Sequence, residues 1–362
     1  MTVVRQVPLR FARDGGGEEQ GTDLSTVCRD GTVLWVAGDE GPVLHRLSAE
    51  PQDGAYGDLV TFPLGDLVDL PEGPGREVDV EGMDRAGDHL WLVGSHSRTR
   101  KRVDPDDDDR DVPAILAEVK VRPNRNVLIR LSLAGEGAAA RPVTGALLDG
   151  DLLTALAADE LLRPFLAIPG KDGGLDIEGL VAVDDGLLLG LRGPVLRGWA
   201  VVLEIRPRTD PDDPARLTLD GTDPGYRTLF LDLDGLGVRD LCRLGDDVLV
   251  LAGPTMDLDG PARLYRWPGA ATAQRSTVGR DLLRVAEVAT GTGPEEGSDH
   301  PEGITVVADA DPIEVLVVYD SPATARRPFP GTVLADVLRL SVPRQVTPEP
   351  ADRSAPAVPV TR

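Results

Sequence analysis

The sequence predicts an all-β protein, a five-bladed β-propeller, and three observations lead there. Glycine and proline are abundant, 41 and 31 of 362 residues, while aromatics reach only 4%. That turn-rich composition suits many short strands better than long helices. One apolar hairpin recurs five times along the chain. The fifth copy lacks a fourth strand and an N-terminal strand lacks a partner, so each completes the other and the ring closes without open edges.

The copies follow in order. Thr26-Val27-Cys28 leads through Asp30-Gly31 into Val33 to Gly38, and Glu81-Gly82-Met83 through Ala86-Gly87-Asp88 into Leu90 to Gly94. Glu178-Gly179-Leu180 leads through Asp184-Asp185-Gly186 into Leu187 to Gly190, and Asp240-Leu241-Cys242 through Gly245-Asp246-Asp247 into Val248 to Gly253. Glu302-Gly303-Ile304 leads into Val315 to Tyr319. Each copy is an apolar strand, a turn and a second apolar strand.

Third strands are expected at Val43 to Leu47, Val127 to Leu131, Ala200 to Ile205, Ala262 to Trp267 and Val333 to Leu340. Fourth strands are expected at Asp58 to Pro63, Arg141 to Leu148, Tyr226 to Leu233 and Leu282 to Ala289. Val3 to Phe11 supplies the missing fifth. Six blades is the alternative, if residues 149–175 hide a degenerate copy. The apolar spacing of Thr154 to Leu162, stopped by Pro164, instead reads as a short inserted helix. Residues 1–340 then form one propeller domain, and the Pro-rich 341–362 a disordered tail.

Charge narrows the function. The chain has 38 Lys+Arg and 61 Asp+Glu, a formal charge of −23. So acidic a surface argues against nucleic acid and against anionic membranes as partners. Two cysteines, Cys28 and Cys242, make neither a disulfide framework nor a zinc site, and no stretch is long and apolar enough to span a bilayer. A cytoplasmic location is expected. In the loop Arg98 to Asp111, a basic block (Arg98, Arg100, Lys101, Arg102) precedes an acidic one, and the expectation is a self-neutralising solvated loop.

In a propeller the first strand of each blade lines the central channel, so the residues at those strand starts converge on one mouth. By this alignment they are Glu81, Glu178, Asp240 and Glu302, with Ser25 or Thr26 in the first blade. Four carboxylates at close range call for compensation. A divalent cation with oxygen ligands supplies it, and Ca²⁺ tolerates irregular multi-carboxylate geometry best. Arginines are the other compensation, and Arg98 and Arg192 sit near the same mouth. A third reading is architectural: the carboxylates accept backbone N–H groups of the neighbouring blade while glycine permits close approach. His96, in Gly94-Ser95-His96-Ser97, and His300, two residues before Glu302, are the candidate acid and base. Trp35 and Trp91 occupy matching second-strand positions and read as core.

The motifs Val80-Glu81-Gly82-Met83, Gly94-Ser95-His96-Ser97, Ile177-Glu178-Gly179-Leu180 and Gly190-Leu191-Arg192-Gly193-Pro194 resemble a bacterial family known only as a domain of unknown function. The resemblance covers residues from roughly 25 to 340. More distantly, the Glu-Gly strand starts resemble esterase-like phytase propellers and calcium-dependent lactonases. That likeness implies a divalent metal at the channel mouth and hydrolysis of an ester or phosphoester. Glu81, Glu178 and Glu302 match it by position, whereas Asp240 and Thr26 depart from it.

Two functions follow as expectations. One is a metal-dependent hydrolase in which Glu81, Glu178, Asp240 and Glu302 hold Ca²⁺ or a similar ion, Arg98 and Arg192 bind a small anionic substrate, and His96 or His300 moves the proton. The other is a non-catalytic scaffold that binds a protein partner.

Overall fold

The computed structural model describes residues 2–11, 21, 23–38, 41–220, 224–256, 258, 260–291 and 299–340. The expected disordered tail, 341–362, lies outside the described residues. The strands that build the main sheets are β1 (Thr2–Arg10), β2 (Leu24–Asp30), β3 (Val33–Gly38), β4 (Val43–Ala49), β5 (Tyr56–Pro63), β6 (Val80–Ala86) and β7 (His89–Gly94). Then come β8 (Val127–Ala134), β9 (Arg141–Asp149), β10 (Asp176–Val183), β11 (Gly186–Gly193), β12 (Trp199–Ile205) and β13 (Tyr226–Asp232). The last are β14 (Gly237–Leu244), β15 (Asp247–Gly253), β16 (Ala262–Trp267), β17 (Leu283–Val288), β18 (His300–Ala308), β19 (Ile313–Asp320) and β20 (Thr332–Leu340).

The arrangement is all-β and propeller-like. Two sheets have the orders β6-β7-β8-β9 and β14-β15-β16-β17, and a third runs β10-β11-β12-β13 with Val278–Gly279 added at its outer edge. A longer sheet runs β2-β3-β4-β5-β1-β20-β19-β18. Strand pairing joins its halves where β1 runs parallel to β5, at Leu9 and Tyr56. On its other side β1 pairs antiparallel with β20 from Thr2↔Arg339 to Arg10↔Thr332.

The innermost strands form a closed circuit in which β2 packs on β6, β6 on β10, β10 on β14, β14 on β18 and β18 on β2. Apolar layers fill the spaces between sheets. Trp35 and Leu44 meet Leu92 and Ile129, Trp91 and Leu128 meet Ile177 and Leu203, and Val202 meets Val250 and Trp267. Leu249 and Leu264 meet Val315 and Leu338, and Val36 and Leu47 meet Leu316 and Val337. A strand covered on both faces needs apolar residues on both, which is why these segments read as continuous apolar runs. All eight residues of β10 are buried. Trp35 and Trp91 are core residues, as expected.

The Glu-Gly glycines admit the neighbouring strand. A Cβ on Gly82 would lie 2.6 Å from the Leu180 nitrogen, and one on Gly303 would lie 3.1 Å from the Thr26 Cα. Polar bonds tie the same strands further along. Asp84 accepts the Ala182 N–H at 2.8 Å, Asp240 accepts the Ile304 N–H at 2.7 Å, and Thr305 Oγ1 accepts the Arg29 N–H at 3.0 Å.

Residues 150–175 contain no strand. They hold a helix, but a shorter and earlier one than the sequence suggests: α2 covers Asp151–Leu156 and buries Leu152 and Leu156. It stops because Asp159 Oδ1 accepts the N–H groups of Leu161 and Leu162, at 2.7 and 3.0 Å. Such side-chain bonds compete with helix continuation. A second short helix, α1 (Val112–Ala117), interrupts the connection from β7 to β8. No helix among the described residues is long and apolar enough to cross a membrane. Both cysteines are free.

Candidate functional site at the channel mouth

Near its start each innermost strand slips by one residue against its hairpin partner. The slips fall between Leu24 and Thr26, Val80 and Gly82, Ile177 and Gly179, Val238 and Asp240, and Pro301 and Gly303. The residues left over are Ser25, Glu81, Glu178, Arg239 and Glu302. A bulge re-aims its side chain and is found where a strand must present a group out of register. Glu81, Glu178 and Glu302 line a cavity of about 580 Å³, and Arg239 bonds to two of them.

The fourth sheet therefore differs from the expected alignment by one residue. Asp240 is not at the mouth. It occupies the position held by Gly82, Gly179 and Gly303 in the other strands, it is 1% exposed, and its two oxygens accept the N–H groups of Leu241 and Ile304. Such a carboxylate is committed to joining two strands, so the architectural reading applies to Asp240 and the metal-ligand reading does not. Arg239 is the mouth residue of this strand. The signal was present in the chain: Ser25, Glu81 and Arg239 each precede the turn glycines Gly31, Gly87 and Gly245 by six residues.

Inside the cavity, carboxylates and guanidiniums are shared out unevenly. Glu178 pairs with Arg192 at 2.8 Å and with Arg239 at 3.1 Å, and Arg239 also holds Glu302 at 2.7 Å. Arg192 pairs in addition with Asp176, and Arg125 holds Asp79 at 2.7 Å as well as Glu77. Burial pushes Asp79 up to about 6 despite Arg125. Its neighbouring carboxylates hold Arg192 firmly protonated against the effect of burial. Arg192 is thus a partner of the floor carboxylates, not a free anion binder.

Glu81 is the exception. Among the described residues no cation forms an ion pair with it. Burial, then Asp79, Glu178, Glu302 and Asp176, push its carboxyl well above the usual range. Burial, with Glu178 and Asp320, likewise raises Glu302, although Arg239 opposes the shift.

The histidines separate. His96 is 4% exposed, adopts a left-handed φ of 55°, and donates from Nδ1 to the Gly94 carbonyl at 2.8 Å. Burial lowers its pKa to about 4, which keeps the ring neutral at neutral pH. It does not line the cavity, so the expected acid–base role has no access to a ligand there. His300 stays at the mouth. It is the register partner of Asp320, and with Glu302 the three bring ligand atoms within 4.8 Å of one another. Asp320 also lines the cavity and is not among the candidate ligands read from the sequence.

One imidazole and two carboxylates fit a divalent cation with open coordination positions. An imidazole in the set favours Zn²⁺ over the expected Ca²⁺, which takes oxygen ligands, while the two carboxylates also suit Mn²⁺.

The rim is basic. Arg98, Arg100, Lys101, Arg102 and Lys171 all line the cavity. The expected neutralisation by the adjacent acidic run is nearly absent. Arg100 pairs with Asp172 at 2.7 Å and Lys101 reaches Asp104 only at 4.0 Å, while Asp108 is occupied by Arg110. The reason is backbone pairing: Arg98 is held beside Pro169 by a parallel bridge and its carbonyl accepts the Gly170 N–H at 3.0 Å, and the basic block that follows lines the cavity.

Comparison with solved structures gives distant likenesses. Glutaminyl cyclase of Myxococcus xanthus superposes with a TM-score of 0.43 and 11% identity over 94% of this chain and 97% of its own. The PQQ-bound aldose sugar dehydrogenase of Streptomyces coelicolor gives 0.36 and 12% over 92% and 99%. The allergen Mala s 1 of Malassezia sympodialis gives 0.37 and 9% over 87% and 75%. No curated protein matches the sequence. Residues 23–336 match the family described as protein of unknown function (DUF3616), and the chain belongs to that family.

Proposed function

We propose that this protein is a five-bladed propeller, its last blade closed by β1, whose channel mouth carries a divalent-metal-dependent hydrolase of anionic esters or phosphoesters. The observation that supports it most is the meeting of His300 with Glu302 and Asp320, two carboxylates that line a cavity with a basic rim. A bound cation would polarise the carbonyl or phosphoryl oxygen of the ester. The chain's own residues do the rest. Arg98 and Arg102 draw in the anion, and Arg239 and Arg192 keep the floor carboxylates in place. Glu81, left without a cation and crowded by carboxylates, is the group suited to give a proton to the leaving oxygen.

The test is turnover of bis(p-nitrophenyl) phosphate and p-nitrophenyl phosphate, both anions, by metal-free protein supplied with Zn²⁺, Mn²⁺ or Ca²⁺. Metal-dependent release of nitrophenol, abolished in Glu302→Gln and reduced at least a hundredfold in Glu81→Gln, is expected. Turnover of neither ester with any of the ions contradicts a hydrolase.

A further inference from the structure

Beside the charged rim stands a feature that hydrolysis of a small anion does not use. Helix α1 has the sequence Val-Pro-Ala-Ile-Leu-Ala, yet none of its six side chains is buried. Leu116 is 43% exposed and, with Val103, lines the same cavity as Arg98, Arg100, Lys101 and Arg102. Ile168, next to the Pro169 that pins Arg98, is 36% exposed, and Met256, whose Sδ lies near Gly173, is 38% exposed. An apolar helix in water has no packing reason for its composition unless something covers it.

We infer that the mouth takes a soluble, single-chain amphiphilic anion, its charged head on Arg98 and Arg102 and its alkyl portion along Leu116 and Val103. The proposal rests on the reading that this cavity is the ligand site, but it needs no metal. Charge complementarity names the head. Arg98, Arg102 and Lys171 have no carboxylate partner among the described residues, so they meet an incoming anion without first giving up an ion pair. Both surfaces line one cavity, so one molecule can touch both. A free molecule fits better than a bilayer lipid, because a chain of net charge −23 is repelled by anionic membranes.

The experiment is calorimetric titration of n-butyl, n-hexyl and n-octyl phosphate, below their micellar concentrations, into full-length protein in excess EDTA. Working without metal separates this proposal from the hydrolase: failed turnover leaves the titration unaffected, and a failed titration leaves metal-dependent turnover unaffected. Affinity is expected to rise roughly threefold per methylene, somewhat less than full burial provides. Leu116→Asp, on an exposed surface, should flatten the series, because the apolar wall that rewards each added methylene is gone. Arg98→Ala with Arg102→Ala should weaken every member at least tenfold. Equal affinity for all three chains, binding of none, or a series unchanged by Leu116→Asp overturns the proposal. Binding to phosphatidylglycerol vesicles in preference to octyl phosphate overturns it as well, in favour of a membrane surface.

Discussion

Arg239 is the residue on which the mouth turns, because one guanidinium holds Glu178 at 3.1 Å and Glu302 at 2.7 Å. Removing one partner of a buried ion pair strands the other charge, at a cost of about 3–5 kcal/mol. Arg239→Ala should therefore lose about 3 kcal/mol in urea denaturation, and an added divalent cation should recover part of it by taking over the stranded carboxylates. Asp240→Ala is the contrasting variant. It leaves the Leu241 and Ile304 N–H groups without their acceptor, a loss of roughly 2–3 kcal/mol, which divalent cations should not recover. Equal recovery in both variants would contradict the assignment of position 239, and not 240, to the mouth. His96 gives a pH prediction. Its folded pKa of about 4 lies below the ordinary 6.5, so its contribution is fully present above pH 6.5 and is lost as pH falls toward 4. His96→Asn, tolerated at a left-handed φ, should flatten that part of the stability–pH curve by up to about 3 kcal/mol. An unchanged curve, measured by denaturant midpoints at pH 4.5 and 7, would contradict a buried neutral imidazole.

Among the elements, the hairpins were legible in the sequence because two signals coincide: apolar runs wide enough for a strand covered on both faces, and Asp/Gly turns between them. What escaped was the bulge. Alternation along a strand predicts side-chain direction only while pairing is regular, and one extra residue reverses it. The alignment therefore paired Asp240 with Glu81, although the distance to the turn glycine points to Arg239. Helix α2 was misplaced for a related reason, since a local side-chain bond from Asp159 ended what propensity would have continued. The basic block at Arg98 to Arg102 was read as self-neutralising because sequence adjacency says nothing about the pairing of Arg98 with Pro169 or the cavity that the block lines. The Glu-Gly pairs carry an element-scale prediction. A Cβ on Gly82 meets backbone of the next innermost strand at 2.6 Å, so Gly82→Ala should destabilise by about 1–3 kcal/mol. Gly31→Ala, at a turn with open space around it and a φ of 59°, should cost only about 1 kcal/mol. Thermal midpoints that order the two variants the other way would sink the close-approach explanation.

Across the whole molecule, β1 joins the two ends of the described chain. It pairs with β20 over most of its length and touches β5 at one position. Deleting residues 1–11 exposes the β20 edge and removes Val7, Leu9 and Phe11 from the core, so the truncated chain should melt at least 10 °C lower and aggregate from the exposed edge. A truncation that melts with the full chain would show that β1 does not close the ring. Charge, too, has a distribution that its sum of −23 conceals. Acidic groups fill the floor of the mouth and basic groups its rim, and under the proposed function they are two halves of one site, a cation below and an anion above. Calorimetric titration of Zn²⁺ and Mn²⁺ into metal-free protein tests that claim most directly. One ion per chain, bound in the wild type and lost in both His300→Ala and Glu302→Gln, is the predicted result. No binding of either ion, or binding that both variants retain, would contradict it.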